Sequence, residues 1–297
     1  MNVGCGVTTA QVTTAPVQLG LDFARDRAGV TRVVRRRVRY PYTFLKPFWF
    51  GDRPAGIATA LIQSGSGGLY GGERLGQRIA LGDGAAVHLT SQAAAVVHAQ
   101  RGLGPTEQRV ELELAAQTYL EYCPDPLILF PDAGLEQQID VRLAADAVLI
   151  HADGIVRHDP GPGDRPFATY RSMLTVRSGD GRLLVRDHLV VNGQAFDRML
   201  NVTNDGCWRG CGLLVAVAPA RPDAHEAWCS VLNARLAALA AAAQGGIYAA
   251  CAPLPNTAGI ACRIVSRDGA GLRAALEACW RELRQVLTGS AAPRKRK

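Results

Sequence analysis

The sequence predicts a mainly β protein made of stacked, largely antiparallel sheets, with two C-terminal amphipathic helices packed on them. Composition gives the first indication: the 297 residues include 32 glycines and 16 prolines but only 6% aromatic residues, as expected for short strands joined by tight turns. The second is spacing, because short apolar runs alternate with turn residues about every ten residues from Gly29 onward. The third is that helical periodicity occurs only late in the chain.

Two segments show the alternation of strands that bury one face only. Each has an apolar residue at every second position between charged or polar residues, and they span 108–114 and 138–143. Further strands are predicted at 86–90, 118–122, 127–130, 147–151, 172–176, 182–191, 212–218 and 259–265.

Two helices are predicted after these strands. The first begins near Asp223, which is spaced to form a capping pair with Glu226, and ends at Gly245. Its apolar face comprises Trp228, Leu232, Leu236 and Leu239. The second spans 270–287 with Gly289 as its C-terminal cap, and its apolar face comprises Leu272, Leu276, Trp280, Leu283 and Leu287.

The domain boundaries follow from where patterning begins and ends. Residues 1–20 lack periodicity and predict a flexible leader, 21–289 predict a single β-rich domain, and 290–297 predict a basic flexible tail. There is neither a signal-peptide pattern nor an apolar run of about 18 residues, so we expect a cytoplasmic protein without membrane contact.

The net charge of +7 is concentrated in two runs. One is the tail, and the other comprises Arg32, Arg35, Arg36, Arg37 and Arg39. Such a run is compatible with a basic nucleic-acid-binding β-protein. The arginines alternate with Val33, Val34 and Val38, however, so a half-buried strand explains them without nucleic acid.

The eight cysteines include no C-x-x-C pair and no histidine at zinc spacing, which argues against a structural zinc site. Only Cys207 and Cys211 are close in sequence. The others lie in apolar runs, as buried thiols do in a reducing compartment. We expect no tightly bound cofactor.

A glycine run at 65–72 raises the possibility of a phosphate-binding loop. It lacks the Gly-Lys-Ser/Thr of a Walker loop, Tyr70 stands where a dinucleotide fingerprint needs glycine, and a strand pattern follows instead of a helix. A close-packed turn explains the run better.

Imidazole and carboxylate groups cluster at His151, Asp153 and His158. They leave open a divergent β-rich metal-dependent hydrolase, although their spacing matches no metalloenzyme motif. Turns rich in Asp, Gly and Pro carry such residues for local backbone hydrogen bonds, and there is no G-x-S-x-G elbow for nucleophilic catalysis.

An ordered series of motifs resembles the UreD/UreH family of urease accessory proteins over roughly 19–287. The segments 67–75 (GGLYGGERL), 84–94 (GAAVHLTSQAA) and 119–130 (YLEYCPDPLILF) are similar to the family's PGGL-x-GGD-x-L, GA-x-x-x-LTTQAA and LEWLPQPTI-x-F. The chain departs from this pattern at Glu73, where the family has Asp, and in 154–167, which is compatible with a divergent paralogue.

The resemblance implies stacked β-sheets with a few helices and a non-catalytic scaffold. It implies that the chain binds apo-urease with UreF, and UreG through UreF, and assists nickel delivery to the urease active site. Transient Ni2+ needs oxygen or nitrogen donors that release it, whereas a closed thiolate site would trap it. By position in the matched motifs, we expect the nickel passage to be lined by Glu73, Thr90, Ser91, Glu121 and Asp153.

Overall fold

The computed structural model describes residues 16–50, 54–200 and 208–292, and it is mainly β, as predicted. The described strands are β1 (Val17–Arg25), β2 (Thr31–Val38), β3 (Tyr42–Phe44), β4 (Ala58–Ser64), β5 (Arg74–Leu81), β6 (Ala86–Ser91), β7 (Val96–Val97), β8 (Thr106–Leu114), β9 (Tyr119–Tyr122), β10 (Leu127–Leu129), β11 (Gly134–Leu143), β12 (Val148–Arg157), β13 (Thr169–Ser178), β14 (Leu183–Val191), β15 (Gly210–Val217), β16 (Ile247–Pro253) and β17 (Gly259–Ser266). The helices are α1 (Gly193–Met199), α2 (His225–Ala242) and α3 (Gly269–Thr288).

These strands form two sheets. The seven-stranded sheet has the order β14-β13-β11-β8-β5-β1-β2. The ten-stranded sheet has the order β16-β17-β15-β12-β9-β6-β4-β3, with β10 paired to β12 and to β7. Residues from both sheets share one hydrophobic cluster, and α2 and α3 share a second cluster with the ten-stranded sheet. The molecule therefore has three layers: sheet, sheet and helices.

The prediction of largely antiparallel sheets is wrong, because the centre of each sheet is parallel. β1, β5, β8, β11 and β13 run parallel in one sheet, as do β4, β6, β9 and β12 in the other. Between β4 and β12 the chain crosses repeatedly from one sheet to the other, so strands that neighbour in space are separated by a strand of the opposite sheet. Antiparallel pairs are found toward the sheet edges.

The two predicted alternating segments are confirmed as β8 and β11, which pair in parallel with Val110 beside Ile139. Their apolar residues are buried in the inter-sheet cluster and their charged residues face outward. The period of two thus selects which side chains line the interior of the sandwich.

The long helices are confirmed with one correction at an N-terminus. Asp223 lies in a short 3-10 turn that begins at Pro222, and no side chain caps α2 at Ala224. The predicted capping pair with Glu226 is therefore wrong, because the 3-10 turn occupies the position where the cap would stand. Gly289 ends α3 in a left-handed conformation, as predicted. The short α1 was not predicted, since seven residues are too few for a helical period to be visible.

Two N-terminal expectations also change. The predicted flexible leader, 1–20, overlaps β1, which begins at Val17, while 1–15 lie outside the described residues. The arginine-rich run is a strand, β2, but only its first residue is buried and both faces become exposed after Val33. The half-buried reading fails because β2 is an edge strand.

The predicted basic tail is described only as far as Ala292. Among the helices of the described ranges, none is both long and apolar enough to cross a lipid bilayer.

Candidate functional site

A cavity of about 300 Å³ lies between the two sheets. Its outer end is formed by the exposed segment 92–94 and by Ser64, and its inner wall carries polar side chains from both sheets. A cavity of this size holds several water molecules when polar groups line it. This hollow interior is the strongest candidate for a functional site.

The seven-stranded sheet contributes one glutamine from each of three adjacent strands. Gln77, Gln108 and Gln137 lie on β5, β8 and β11, and Gln108 is directly paired with Gln137. Each stands in the same alternating phase as the buried leucines, isoleucines and valines of its strand. The strand pattern therefore directs three amides into a region otherwise filled by apolar residues.

Tyrosine hydroxyls meet these amides inside the sandwich. Gln77 donates from Nε2 to Tyr42 Oη at 3.0 Å, and Tyr122 Oη donates to Gln77 Oε1 at 3.2 Å. Tyr170 Oη lies 3.4 Å from Gln137 Oε1. Burial raises the pKa of Tyr42, Tyr122 and Tyr170 above the usual range, so these groups remain neutral hydroxyls near neutral pH.

Asp153 is the carboxylate that joins this cavity to a second, smaller one of about 20 Å³. It points inward from β12, two residues after the fully buried His151, whose Nε2 is 3.7 Å from Asp153 Oδ2. Asp153 thus places an anionic oxygen at the boundary between the two cavities.

The second cavity is lined by Asp187, Cys211 and Arg263 as well as by Asp153. Arg263 forms an ion pair with Asp187 and is about half exposed. Burial raises the pKa of the Asp187 carboxyl, and the neighbouring guanidinium offsets this only in part. Burial also raises the pKa of the Cys211 thiol to about 11, so near neutral pH this cavity presents oxygen donors and no thiolate.

The structure brings three of the five predicted passage residues to the larger cavity: Thr90, Ser91 and Asp153. Thr90 Oγ1 donates to Cys123 O at 2.7 Å, and Ser91 Oγ accepts from Asp125 N at 2.8 Å. Both hydroxyls therefore also hold the turn that follows β9.

Glu73 lies in the glycine turn and lines neither cavity. Its Oε2 accepts a hydrogen bond from Tyr70 N at 2.9 Å, so the carboxylate closes its own turn. The turn is close-packed, as predicted: a Cβ on Gly68 would lie 2.4 Å from Val96 O, and β5 follows directly.

Glu121 lies on the opposite face of β9 from the cavity and is completely buried against α3. Oε1 accepts from Arg284 Nε at 2.9 Å and from Tyr119 Oη at 2.6 Å, and Oε2 is 2.7 Å from His88 Nδ1. Trp280 stacks on His88. This group, the Glu121–Arg284 cluster, joins α3 to the ten-stranded sheet.

The residues of the hydrolase alternative are not brought together. His151 is buried inside the sandwich, whereas His158 is exposed beyond the end of β12 beside Phe130. Seven residues of extended chain place the two imidazoles roughly 20 Å apart. Within the described ranges, no three His, Cys, Asp or Glu side chains converge to hold a metal ion.

Sequence reasoning missed the glutamines, the tyrosines and the Asp187–Arg263 pair. The sequence did carry a signal for the glutamines, because each lies two residues from buried apolar residues of its strand and therefore points to the same side. Asp187 and Arg263 gave no such signal, because they are separated by 76 residues and meet only through the stacking of the sheets.

Together, the fold and the site define a β-rich protein with a cavity between its two sheets, whose wall carries hydroxyl, amide and carboxylate groups. The family model for UreD urease accessory protein matches residues 15–297. The chain belongs to this family.

Individual relatives agree with that assignment. Urease accessory protein UreD 1 of Methylorubrum extorquens (strain PA1) is 37% identical over 95% of this chain and 92% of its own length. A UreD 1 of Bradyrhizobium sp. (strain BTAi1 / ATCC BAA-1182) is 35% identical over 92% of both chains. A UreD 1 of Pseudomonas syringae pv. syringae (strain B728a) is 33% identical over 93% of both chains.

Proposed function

We propose that this chain is a non-catalytic scaffold of urease maturation that passes nickel through its inter-sheet cavities to apo-urease. In this role it binds apo-urease together with UreF, and UreG through UreF. The observation that carries the proposal is the cavity between the sheets, whose wall carries hydroxyls, amides and the carboxylates of Asp125 and Asp153. Family membership supplies the urease context.

The donor set suits an ion that must enter and leave. Neutral hydroxyl and amide oxygens can replace part of the hydration shell of Ni2+ without adding charge that would hold it. Two carboxylates, Asp125 and Asp153, line the larger cavity and provide local attraction in a region of reduced dielectric. Burial raises the pKa of the neighbouring Cys211 thiol, which disfavours a thiolate ligand that would hold nickel more tightly.

The proposed passage runs from the larger cavity to the smaller one. Nickel enters at the segment 92–94, moves past Gln77 and Tyr122 to Asp153, and continues to the smaller cavity. Arg263 stands at the far end, where its guanidinium offsets the charge of Asp187. A cation leaving there has to displace or bypass this pair.

Co-expression with apo-urease, UreF and UreG tests the scaffold part of the proposal. We expect the chain to co-purify with UreF and apo-urease. If it binds neither, the scaffold role fails.

Asp153→Ala tests the passage separately. We expect this variant to co-purify as the wild type does but to lower the nickel content and activity of the urease obtained. Asp140→Ala removes a carboxylate from the outer face of β11 and is the matched control. Equal nickel content with Asp153→Ala and wild type would contradict passage at Asp153.

A further inference from the structure

Four cysteines form a row in the layer between the ten-stranded sheet and the helices. Cys229 lies on α2, Cys251 on β16, Cys262 on β17 and Cys279 on α3, and all four are buried. None of them lines the inter-sheet cavities. The proposed nickel passage therefore leaves these thiols without a role.

The thiols are arranged in a line. Cys229 Sγ and Cys251 Sγ are 3.5 Å apart, Cys251 and Cys262 are direct partners across the β16–β17 pair, and Cys262 is hydrogen-bonded to both Cys251 and Cys279. A four-thiolate metal site needs all sulfurs at about 2.3 Å from one centre. The described residues contain no such converging group, so the row points to sulfur–sulfur chemistry.

One side chain fixes the closest pair. Asn233 follows Cys229 by one helical turn and spans the gap to β16. Its Nδ2 donates to Cys251 O at 2.9 Å, and its Oδ1 accepts from Cys251 N at 2.8 Å. Because β16 is an edge strand, this amide satisfies backbone groups that no further strand would pair. The two hydrogen bonds hold α2 and β16 in one register, which keeps the two sulfurs in contact.

The two thiols differ in their surroundings. The hydrogen bond from Cys262 lowers the pKa of Cys251, whereas burial raises the pKa of Cys229 to about 12. Thiolate is the nucleophilic form of cysteine. Cys251 also lies between two exposed residues, Ala250 and Ala252, on the edge strand, which places it closer to solvent than Cys262 or Cys279.

We propose that Cys251 and Cys229 form a reversible disulfide site that responds to hydroperoxides. The Cys251 thiolate attacks one peroxide oxygen, the O–O bond breaks, and a sulfenic acid and water form once the leaving hydroxide takes a proton. The Cys229 sulfur then attacks the sulfenic sulfur, the S–O bond breaks, and a second water leaves with the Cys229 proton. Two thiols thus lose two electrons, and hydrogen peroxide is reduced to two molecules of water.

Formation of this disulfide requires a small movement of the two sulfur atoms. A disulfide bond is about 2.05 Å long, so the sulfurs of Cys229 and Cys251 must approach each other by roughly 1.5 Å. The product links α2 covalently to the edge of the ten-stranded sheet and closes a loop between positions 22 apart in sequence. This inference goes beyond the proposed scaffold function and does not depend on it.

Peptide mapping of the isolated full-length chain tests the proposal. The reduced protein is exposed to hydrogen peroxide, quenched with an alkylating reagent, digested and analysed by mass spectrometry. We expect a Cys229–Cys251 peptide pair and an intact mass lower by about 2 Da, since two hydrogens are lost, and dithiothreitol reverses both changes.

Cys229→Ser and Cys251→Ser should each abolish the linked peptide, whereas Cys211→Ser should retain it. The wild-type peptide map decides the question even if a serine variant does not fold. The proposal is overturned if the thiols stay reduced in the folded protein, if another pair links, or if linkage appears only in urea.

Discussion

The two faces of the ten-stranded sheet differ in packing, and β12 contributes side chains to both faces. Toward the helices it presents Ile150 and Ala152, packed against α3 in an apolar layer. Toward the other sheet it presents His151 and Asp153, and Asp153 lines the inter-sheet cavities. A strand that alternates in this way lets one face stabilise the fold while the other stays open and polar.

The two faces of the ten-stranded sheet should contribute unequally to stability. The helix-facing layer contains tightly packed apolar side chains and one buried ionic group, the Glu121–Arg284 cluster. The inter-sheet layer is apolar around its cavities, but its polar wall is satisfied by a few hydrogen bonds of ordinary length. Substitutions on the helix side should therefore cost more stability than substitutions at the cavity.

The largest effect is expected for Arg284→Met. This change leaves the Glu121 carboxylate buried without its guanidinium partner, and breaking a buried pair on one side costs about 3–5 kcal/mol. Urea unfolding measures the loss. The double variant Glu121→Gln with Arg284→Met removes both charges and should recover much of it. A loss below about 1 kcal/mol for Arg284→Met would show that the pair is dispensable.

A somewhat smaller effect is expected for Leu272→Ala, at about 3 kcal/mol by the same measurement. Leu272 is fully buried, and it packs so closely on β15 that a Cβ on Gly212 would lie 2.8 Å from its Cδ1. Truncation leaves a void that these backbone segments cannot fill. Leu183→Ala, at an exposed position on β14, is the control and should change little.

Acid should weaken the helix side through Glu121. Burial acts to raise the pKa of this carboxyl, but the hydrogen bond from His88 and the charges of His88 and Arg284 outweigh it and lower the pKa below its usual 4.5. Stability from a carboxyl with a lowered pKa is present above the unfolded value and is lost as pH falls through the folded one.

We therefore expect the urea concentration at the unfolding midpoint of the wild type to decrease as the pH is lowered below about 4.5. The midpoint of Glu121→Gln should decrease less steeply over the same pH range. Glu113→Gln, at an exposed carboxylate on β8, should keep the wild-type slope. If the midpoints of the wild type and Glu121→Gln decrease with pH at the same rate, Glu121 does not contribute to the acid response.

The smallest effect is expected on the cavity side. Gln77→Leu removes the amide that bonds Tyr42 and Tyr122, and we expect it to change stability by about 1 kcal/mol or less, because water in the cavity can satisfy both hydroxyls. The same variant replaces a polar wall group by an apolar one, so nickel transfer to urease should decline while the fold persists. A stability loss as large as that of Leu272→Ala would contradict the division of roles.

Much of the fold follows from local patterns. Alternation located β8 and β11, and helical spacing located α2 and α3 to within a few residues. The strand directions did not follow, because the partner of each central strand is decided by how the chain crosses between sheets, which no local pattern records. Glu121 shows the same limit: its motif placed it on β9, but only the stacking of α3 revealed which face it occupies.

The site was predictable in part. Resemblance to the family singled out five residues. Thr90, Ser91 and Asp153 line the cavity, whereas Glu73 and Glu121 do not. Gln77, Gln108 and Gln137 could have been found as polar residues at inward positions of apolar strands. The Asp187–Arg263 pair could not, since it arises from strands of different sheets.

The crossing of the chain between sheets also governs how the protein folds. A parallel pair such as β5 and β8 cannot close as a hairpin, because β6 must first be laid into the opposite sheet. Folding therefore has to join distant segments before much apolar surface is buried, and chains of this kind fold slowly. During that delay the apolar faces of unfinished strands stay exposed to other chains, so the yield of native protein should depend on temperature and concentration during synthesis.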